Sequence, residues 1–111
     1  MNYIHDLLKA DINISTSGDN VIIAAPATAG AYIAIDFIQF IATLAVNVQM
    51  KSGTTNYGGP LPLAAGQAVT NENAMHNEHG VITCGSNEAF TINLSGNVQV
   101  GGFIRYRIIG L

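Results

Sequence analysis

Short stretches of alternating apolar and polar residues recur along the chain from Ile12 onward, and this period-two pattern most constrains the fold. Successive side chains of a β-strand point to opposite faces, so the alternation indicates strands with one buried face. Clear examples are residues 44–51, 90–94 and 98–108. About eight such stretches follow at intervals of roughly 8 to 12 residues, with turn residues between them. The pattern predicts an all-β, antiparallel sandwich or barrel and excludes alternating strands and helices.

Glycine and proline positions add local predictions. Pro60 and Pro62 confine the segment between them to an edge strand or a loop, because proline has no backbone donor. Gly101 and Gly102 lie inside the last predicted strand, where glycine indicates a bend or a close approach of another backbone. The tripeptide 95–97, Ser-Gly-Asn, predicts a tight hairpin. The polar stretch 64–80 predicts a long surface loop that includes at most a short strand.

The first part of the chain differs from the rest. Ile4, Leu7 and Leu8 fit one face of a short terminal helix, and such a helix is marginally stable alone. The sequence therefore predicts a flexible N-terminal arm over residues 1–18, followed by a β-sandwich domain over 19–111. A terminal arm of this kind orders when a partner holds it down.

We expect this arm to contact a partner protein. Its apolar side chains are the predicted contact residues, and Ile12 and Ile14 have the alternation needed to add a strand to a partner's sheet. On this hypothesis, deletion of residues 1–17 leaves a folded domain that no longer binds its partner.

The chain carries unusually little charge. Charged residues make up 10% and hydrophobic residues 49% of the sequence, whereas a soluble domain carries roughly 25% charge. This composition favours a surface covered by neighbouring proteins, although a neutral surface rich in Asn, Thr and Ser is the alternative. With four Lys and Arg residues and a net charge of −3, the chain lacks the basic patch that direct nucleic-acid binding needs.

Targeting signals and cysteine use point to a protein made in the cytoplasm. Residues 1–15 lack the apolar core of a signal peptide. The stretch 31–48 contains Asp36, Gln39 and Asn47, so we interpret it as two buried strands and expect no membrane span. Cys84 is the single cysteine, which excludes a disulfide within these 111 residues.

No residue set predicts catalysis or a bound cofactor. Cys84 and His79 are a conceivable nucleophile and base, but a lone cysteine in an alternating strand is typical of a core residue. His76, Glu78 and His79 are candidate metal ligands because they lie close together in the chain. A solvated or partner-facing loop is the favoured interpretation of this segment. We therefore predict no enzyme activity, no cofactor and no committed metal site.

The last strand carries the remaining predicted contact residues. Phe103, Arg105 and Arg107 share one parity, so they project from one face of that strand. Aromatic residues and arginine are enriched at the energetic centres of protein interfaces. The face is predicted to be either a protein interface or a solvated outer surface.

Three segments in matching order resemble a small module of the virion proteins of tailed bacteriophages. They read NVIIAAPATAG, VNVQMKSGTTNYGGPLPLAAG and NEAFTINLSGNVQVGGFIRYRII, and together they extend over residues 20–109. The resemblance implies a β-sandwich of jelly-roll type in a phage particle. For a chain of this size it implies a capsid decoration (cement) protein, a structural protein of the virion.

The same resemblance implies the partners and the location. The major capsid protein and further copies of this chain, as a dimer or trimer, are the expected partners on the outer capsid surface. The alternative is a tail or fibre module that binds a host surface glycan or another tail protein. That alternative predicts clustered exposed aromatic residues, for which Tyr32, Tyr57 and Tyr106 are the candidates.

Overall fold

The computed structural model describes residues 7–73 and 79–110, and within them the chain forms ten β-strands and no helix. The strands are β1 (Leu8–Ile14), β2 (Gly18–Ile23), β3 (Tyr32–Ala42), β4 (Val46–Ser52), β5 (Thr55–Asn56), β6 (Leu61–Leu63), β7 (Ala68–Glu72), β8 (Ile82–Thr83), β9 (Phe90–Leu94) and β10 (Val100–Ile109). They belong to two sheets, and each pair of neighbouring strands is antiparallel. The predicted all-β antiparallel sandwich is confirmed.

The order of the strands is that of a jelly roll. Sheet A has the order β1-β10-β3-β7, with β8 also paired to β3. Sheet B has the order β2-β9-β4-β5, with β6 also paired to β4. Because β7 and β8 follow one another along the same edge of β3, and β5 and β6 do so along β4, each sheet has four strand positions. The eight positions correspond to the roughly eight strands expected from the alternation.

The core lies between the two sheets and consists of the inward residues of alternating strands. Its largest fully buried side chains are Phe40, Phe90, Ile12, Ile33, Ile35, Ile38, Ile92, Leu94, Ile104, Val48 and Val100. Burial of each such side chain stabilises the fold by about 1.5–3 kcal/mol. The chain therefore folds around one apolar layer to which both sheets contribute.

A β-bulge in β3 changes which residues face this core. The pairing with β10 shifts between Arg105 opposite Phe37 and Tyr106 opposite Ile35, so Asp36 is an extra residue in β3. Before the bulge the odd-numbered residues of β3 face the core, and after it the even-numbered residues do. As a result Asp36 and Phe37 both lie on the outer face. This explains why the sequence of this strand is apolar at both parities.

The predicted flexible arm is wrong for most of its length. Residues Leu8–Ile14 form an edge strand along β10, not part of a helix, and β2 already begins at Gly18. Ile12 is 2% exposed and lies opposite Gly102, and Ile14 lies opposite Val100 of the same chain. The segment is ordered because it buries Ile12 and pairs the backbone groups that β10 would otherwise leave open.

Other local predictions had mixed outcomes. Gly102 lies so close to β3 that a Cβ there would overlap the carbonyl oxygen of Gln39, as the close-approach prediction required. The segment around Pro62 is an edge strand, as predicted. The predicted hairpin at 95–97 is wrong, because β9 belongs to sheet B and β10 to sheet A. The polar stretch from residue 64 includes the edge strand β7.

The membrane candidate 31–48 resolves into β3, a short loop and the start of β4. In the described part of the chain, no helix has the length and apolar character needed to cross a membrane.

Candidate interaction surface

The outward residues of sheet A form the surface that contains Phe103, Arg105 and Arg107. These three alternate with the buried or half-buried inward residues of β10, so they share the side away from the core. Antiparallel pairing arranges the outward residues in rows across the strands. One row contains Lys9, Arg105, Phe37 and Glu72, and the next contains Asp11, Phe103, Gln39 and Thr70. We call this surface the sheet A outer face.

An aromatic pair lies at the centre of this face. The rings of Phe37 and Phe103 have their centroids 5.2 Å apart, tilted by 33°. Both side chains are half-buried although nothing from the described chain covers the face as a second layer. Such a pair supplies a rigid apolar contact area of the kind found at the energetic centres of interfaces.

Beside the aromatic pair, an ion pair fixes Arg107. Its Nε and one terminal nitrogen donate to the two carboxylate oxygens of Asp36, at 2.6 and 2.8 Å. The side-chain amide of Asn73 donates to the same carboxylate at 3.0 Å. Because the bulge turns Asp36 outward, the sheet supplies its own counter-ion for this arginine. The side chain of Arg107 is therefore held in place by Asp36 of its own chain.

Arg105 is in a different electrostatic situation. It is exposed and lies directly opposite Lys9, a like charge, on the neighbouring strand. Lys9 pairs with Asp11 at 3.1 Å, whereas Arg105 forms no ion pair with any described residue. Like charges directly opposite each other are destabilising. Arg105 is thus a cation that an incoming acidic group would satisfy.

A shallow hollow of about 370 Å³ opens on this face. Its lining residues are Leu7, Asp36, Phe37, Glu72, Asn73, Arg105 and Arg107. The hollow combines an aromatic floor with an exposed arginine on one side and an exposed glutamate on the other. It is wide enough to accept a long side chain from a neighbouring protein.

The outer face of sheet B has a different character. Lys51 donates to the carboxylate of Asp19 at 3.0 and 3.1 Å, and Asn93 donates to it at 2.7 Å. The hydrogen bond from Asn93 and the nearby Lys51 lower the pKa of Asp19. These polar groups satisfy one another across three strands, and Val21 on the same face is 64% exposed. The sheet A outer face differs in presenting an aromatic pair beside an arginine without an ion-pair partner among the described residues, so we treat it as the candidate interaction surface.

The predicted contact residues fall into two groups. Phe103, Arg105 and Arg107 lie together on the sheet A outer face, and Leu7 lines the same hollow. Ile12 is not available for contact because it is buried in the core, and Ile14 packs partly against that core. Leu8, the first residue of β1, is 39% exposed. Ile4 lies outside the described residues.

The sequence reasoning missed Asp36, Phe37, Glu72 and Asn73. The alternation in β3 shows that Phe37 and Asp36 are on opposite parities, and only the bulge places both outside. Glu72 and Asn73 lie in the stretch interpreted as a loop. Their position beside Phe37 and Asp36 depends on the pairing of β7 with β3.

The candidate metal ligands are only partly described. His76 and Glu78 lie outside the described residues. The ring of His79 stacks on Tyr32, with centroids 6.5 Å apart. Residues 7–73 and 79–110 contain no group of three side chains arranged to hold a metal ion.

Cys84 is buried in the hydrophobic core, as expected from its place in an alternating segment, and it lies beside Ser52. Burial raises the pKa of its thiol to about 11. The neighbouring Ser52 hydroxyl donates to Glu88 at 2.7 Å and accepts from the Gly85 amide at 2.8 Å. A thiol with this pKa stays protonated near neutral pH, so Cys84 lacks the thiolate that a nucleophile requires.

The three tyrosines proposed for glycan binding do not form one patch. Tyr106 projects inward from sheet A, and Tyr57 follows β5 in sheet B; both pack partly against the core. Tyr32 projects from the other side of sheet A, beside His79. The clustered aromatic surface expected of a glycan-binding module is absent among these three residues.

The comparisons with known proteins show a similarity in fold alone. No protein-family model matches the chain, and no curated protein matches it. A solved structure of the Bacillus endospore appendages, which form a family of disulfide-linked pili, is similar with a TM-score of 0.54. The match is 16% identical in sequence and covers 97% of this chain and 88% of that chain.

Proposed function

We propose that this protein is a structural component of a phage particle that decorates the outer capsid surface and makes its contacts through the sheet A outer face. The observation that carries the proposal is the difference between the two sheet faces. Sheet A presents an aromatic pair, an exposed arginine and a hollow, whereas the polar groups of sheet B satisfy one another. The low charge of the sequence and its resemblance to virion modules support the same function.

The proposed mechanism is additive and needs no chemistry. Each copy contributes buried area between neighbouring shell subunits, and a standard interface removes about 1,600 Å² from water. Repeated over many copies, such contacts oppose the outward pressure of a packaged genome. The rigid aromatic pair supplies apolar area, and Arg105 supplies the charge that selects the partner.

The test is binding of purified protein to undecorated capsids of the parent phage, measured by co-sedimentation. Phe103→Ala removes half of the aromatic pair, and we expect it to weaken binding at least about tenfold. Val21→Ala, on the outer face of sheet B, is the matched control and should bind like the unmodified chain. Val21 is 64% exposed, so its truncation leaves the fold intact.

Two results would overturn the proposal. One is full binding by Phe103→Ala together with loss of binding by Val21→Ala. The other is a copy number of about a dozen or fewer per particle, which would place the protein in the tail. A capsid decoration protein is expected in a number on the order of hundreds.

A second candidate function is a subunit of a protein filament, which the shared fold with the endospore pilus structure favours. Linkage of subunits by disulfides needs at least two reachable sulfurs in each subunit. These 111 residues contain one cysteine, and it is 4% exposed with a raised pKa. A filament of this chain would therefore not be linked by a series of disulfides through these residues.

Electron microscopy of concentrated protein with and without dithiothreitol separates the two candidates. Fibres that persist in reductant would support the filament and argue against decoration. Absence of fibres together with capsid binding would support decoration.

A further inference from the structure

The geometry points to a second copy of this chain as the partner of the sheet A outer face, packed about a two-fold axis parallel to β3. This inference rests on the proposed function: two copies on the particle pair through this face, and the pairing strengthens capsid attachment by avidity. In this arrangement Arg105 of each copy faces Glu72 of the other, on either side of the two central Phe37 rings. The pattern of charge and side-chain size across the face supports this arrangement.

The charges on the face are complementary to themselves. Phe37 lies directly opposite Arg105 on one side and Glu72 on the other, so the three residues form a row across β10, β3 and β7. Strands in a sheet are about 4.8 Å apart, which separates Arg105 from Glu72 by about 10 Å. Both are exposed, and neither has an ion-pair partner within the described residues.

The two-fold axis follows from this row. Rotation by 180° about an axis along β3 exchanges the β10 side of the face with the β7 side, so Arg105 of one copy lies over Glu72 of the other. A two-fold axis running across the strands would place Arg105 over Arg105 and Glu72 over Glu72. Charge repulsion disfavours that second arrangement. The Arg107–Asp36 pair is neutral as a unit and permits either.

The row that contains Ile41, two rows along from Phe37, fits the same axis. Ile41 lies on β3 with Gly101 on one side and Ala68 on the other. The rotation sets Ile41 against Ile41 and Gly101 against Ala68, so two small residues flank an apolar contact. Ile41 is 45% exposed in the isolated chain, and this packing would cover it. The hollow beside Phe37 leaves room for the guanidinium of the other copy.

The facing area is small, because β10, β3 and β7 lie over one another while β1 extends beyond the edge of the facing copy. Three strands are about 14 Å wide and seven residues about 23 Å long, which gives a projected area on the order of 330 Å². This is less than half of the roughly 800 Å² that each partner contributes to a standard interface. We expect a weak dimer in solution, populated at high micromolar concentration. On a particle surface, tethering of many copies raises the effective concentration and favours the same contact.

Sedimentation velocity over increasing protein concentration tests this inference at low salt. The unmodified chain should show a monomer–dimer equilibrium. Arg105→Glu and Glu72→Arg should each weaken it at least about tenfold, because each places like charges together at both contacts. The double variant Arg105→Glu with Glu72→Arg restores the complementarity, and its dissociation constant should return to within about threefold of the original.

Val21→Glu is the control. It shifts the net charge in the same direction as Arg105→Glu, but Val21 is 64% exposed on the outer face of sheet B, away from the facing copy. Dimerisation should therefore be retained in this variant. Thermal unfolding of each variant checks that the fold is intact.

Two outcomes would overturn the inference. One is a chain that stays monomeric up to about 1 mM, and the other is a double variant that stays as weak as the single ones. If Arg105→Glu nevertheless loses capsid binding, the face contacts a shell protein; the proposed function then stands and the self-pairing fails. If the charge exchange restores the dimer but no variant affects capsid binding, the self-pairing stands and the proposed function fails.

Discussion

Gly102 lies where β10 passes closest to β3. A side chain at this position would enter the space of the Gln39 carbonyl and the Phe40 Cα, both of which are backbone atoms that cannot rotate away. Gly101, one residue earlier, has only the carbonyl oxygen of Ile12 near its would-be Cβ, at 3.8 Å. The two neighbouring glycines therefore have different roles.

Gly102→Ala should lower the free energy of unfolding by about 3 kcal/mol or more, because β3 and β10 must move apart to accept the methyl group. Gly101→Ala, which places its methyl group at an ordinary contact distance, should change it by less than about 1 kcal/mol. Urea unfolding followed by circular dichroism measures both. Equal stability of the two variants would contradict the close approach of the strands.

The sequence alone predicted a bend or a close approach at this glycine pair, because glycine inside a strand weakens it and leaves space that a second backbone can enter. It did not indicate which of the two glycines is essential. That choice depends on the strand pairing, which sets Gly102 against Phe40 and Gly101 against Ile41.

At the scale of elements, β1 shows how weak a short alternation is as evidence. Only Ile12 and Ile14 alternate clearly, and Leu7 and Leu8 together resemble the face of a helix. The strand forms because it covers the edge of β10 and contributes Ile12 to the core. Such a gain depends on residues almost ninety positions further along the chain, so no local pattern could reveal it.

A pair of truncations tests the role of β1. Ile12→Ala should lower the free energy of unfolding by about 2–4 kcal/mol, because it leaves a cavity in the core. Leu8→Ala alters the same strand at a position that is 39% exposed, and it should cost less than about 1 kcal/mol. Thermal unfolding measures both. A similar small loss for Ile12→Ala would show that β1 is not part of the folded domain.

The same reasoning explains the error at 95–97. Ser-Gly-Asn signals a reversal of the chain, and the chain bends there. A local signal does not specify whether the next strand pairs with the previous one or crosses to the opposite sheet. Phe103 and Arg105 could be assigned to one face from parity, but their neighbours Phe37 and Glu72 follow only from the pairing of three strands.

The free energy of unfolding of the whole molecule should fall as the pH is lowered, because of Asp19, and also fall as the pH is raised, because of Cys84. The pKa of Asp19 is lowered by Asn93 and Lys51, so its contribution is present at neutral pH and is lost as the pH falls through the folded-state pKa. Burial raises the pKa of Cys84 from its ordinary value of 9.0 to about 11. Between these values the unfolded chain loses the thiol proton while the folded chain keeps it.

The free energy of unfolding should therefore fall by about 2–3 kcal/mol between pH 9 and 11 as a result of Cys84 alone. Tyrosines and lysines also titrate there, so the measurement is the difference between the unmodified chain and Cys84→Ala at each pH. Urea unfolding at pH 7.5 and 10.5 provides it. Parallel pH profiles for the two proteins would contradict the raised pKa.

The position of β9 and β10 within the sheets has a consequence for synthesis. Each occupies an inner position, β9 between β2 and β4 and β10 between β1 and β3, yet both follow all their partners along the chain. A nascent polypeptide on the ribosome thus holds several apolar strands without the ones that join them. Sheet B cannot close until residue 94 has emerged, and sheet A cannot close until residue 109 has emerged. Until then the exposed strand edges are open to wrong pairing or aggregation.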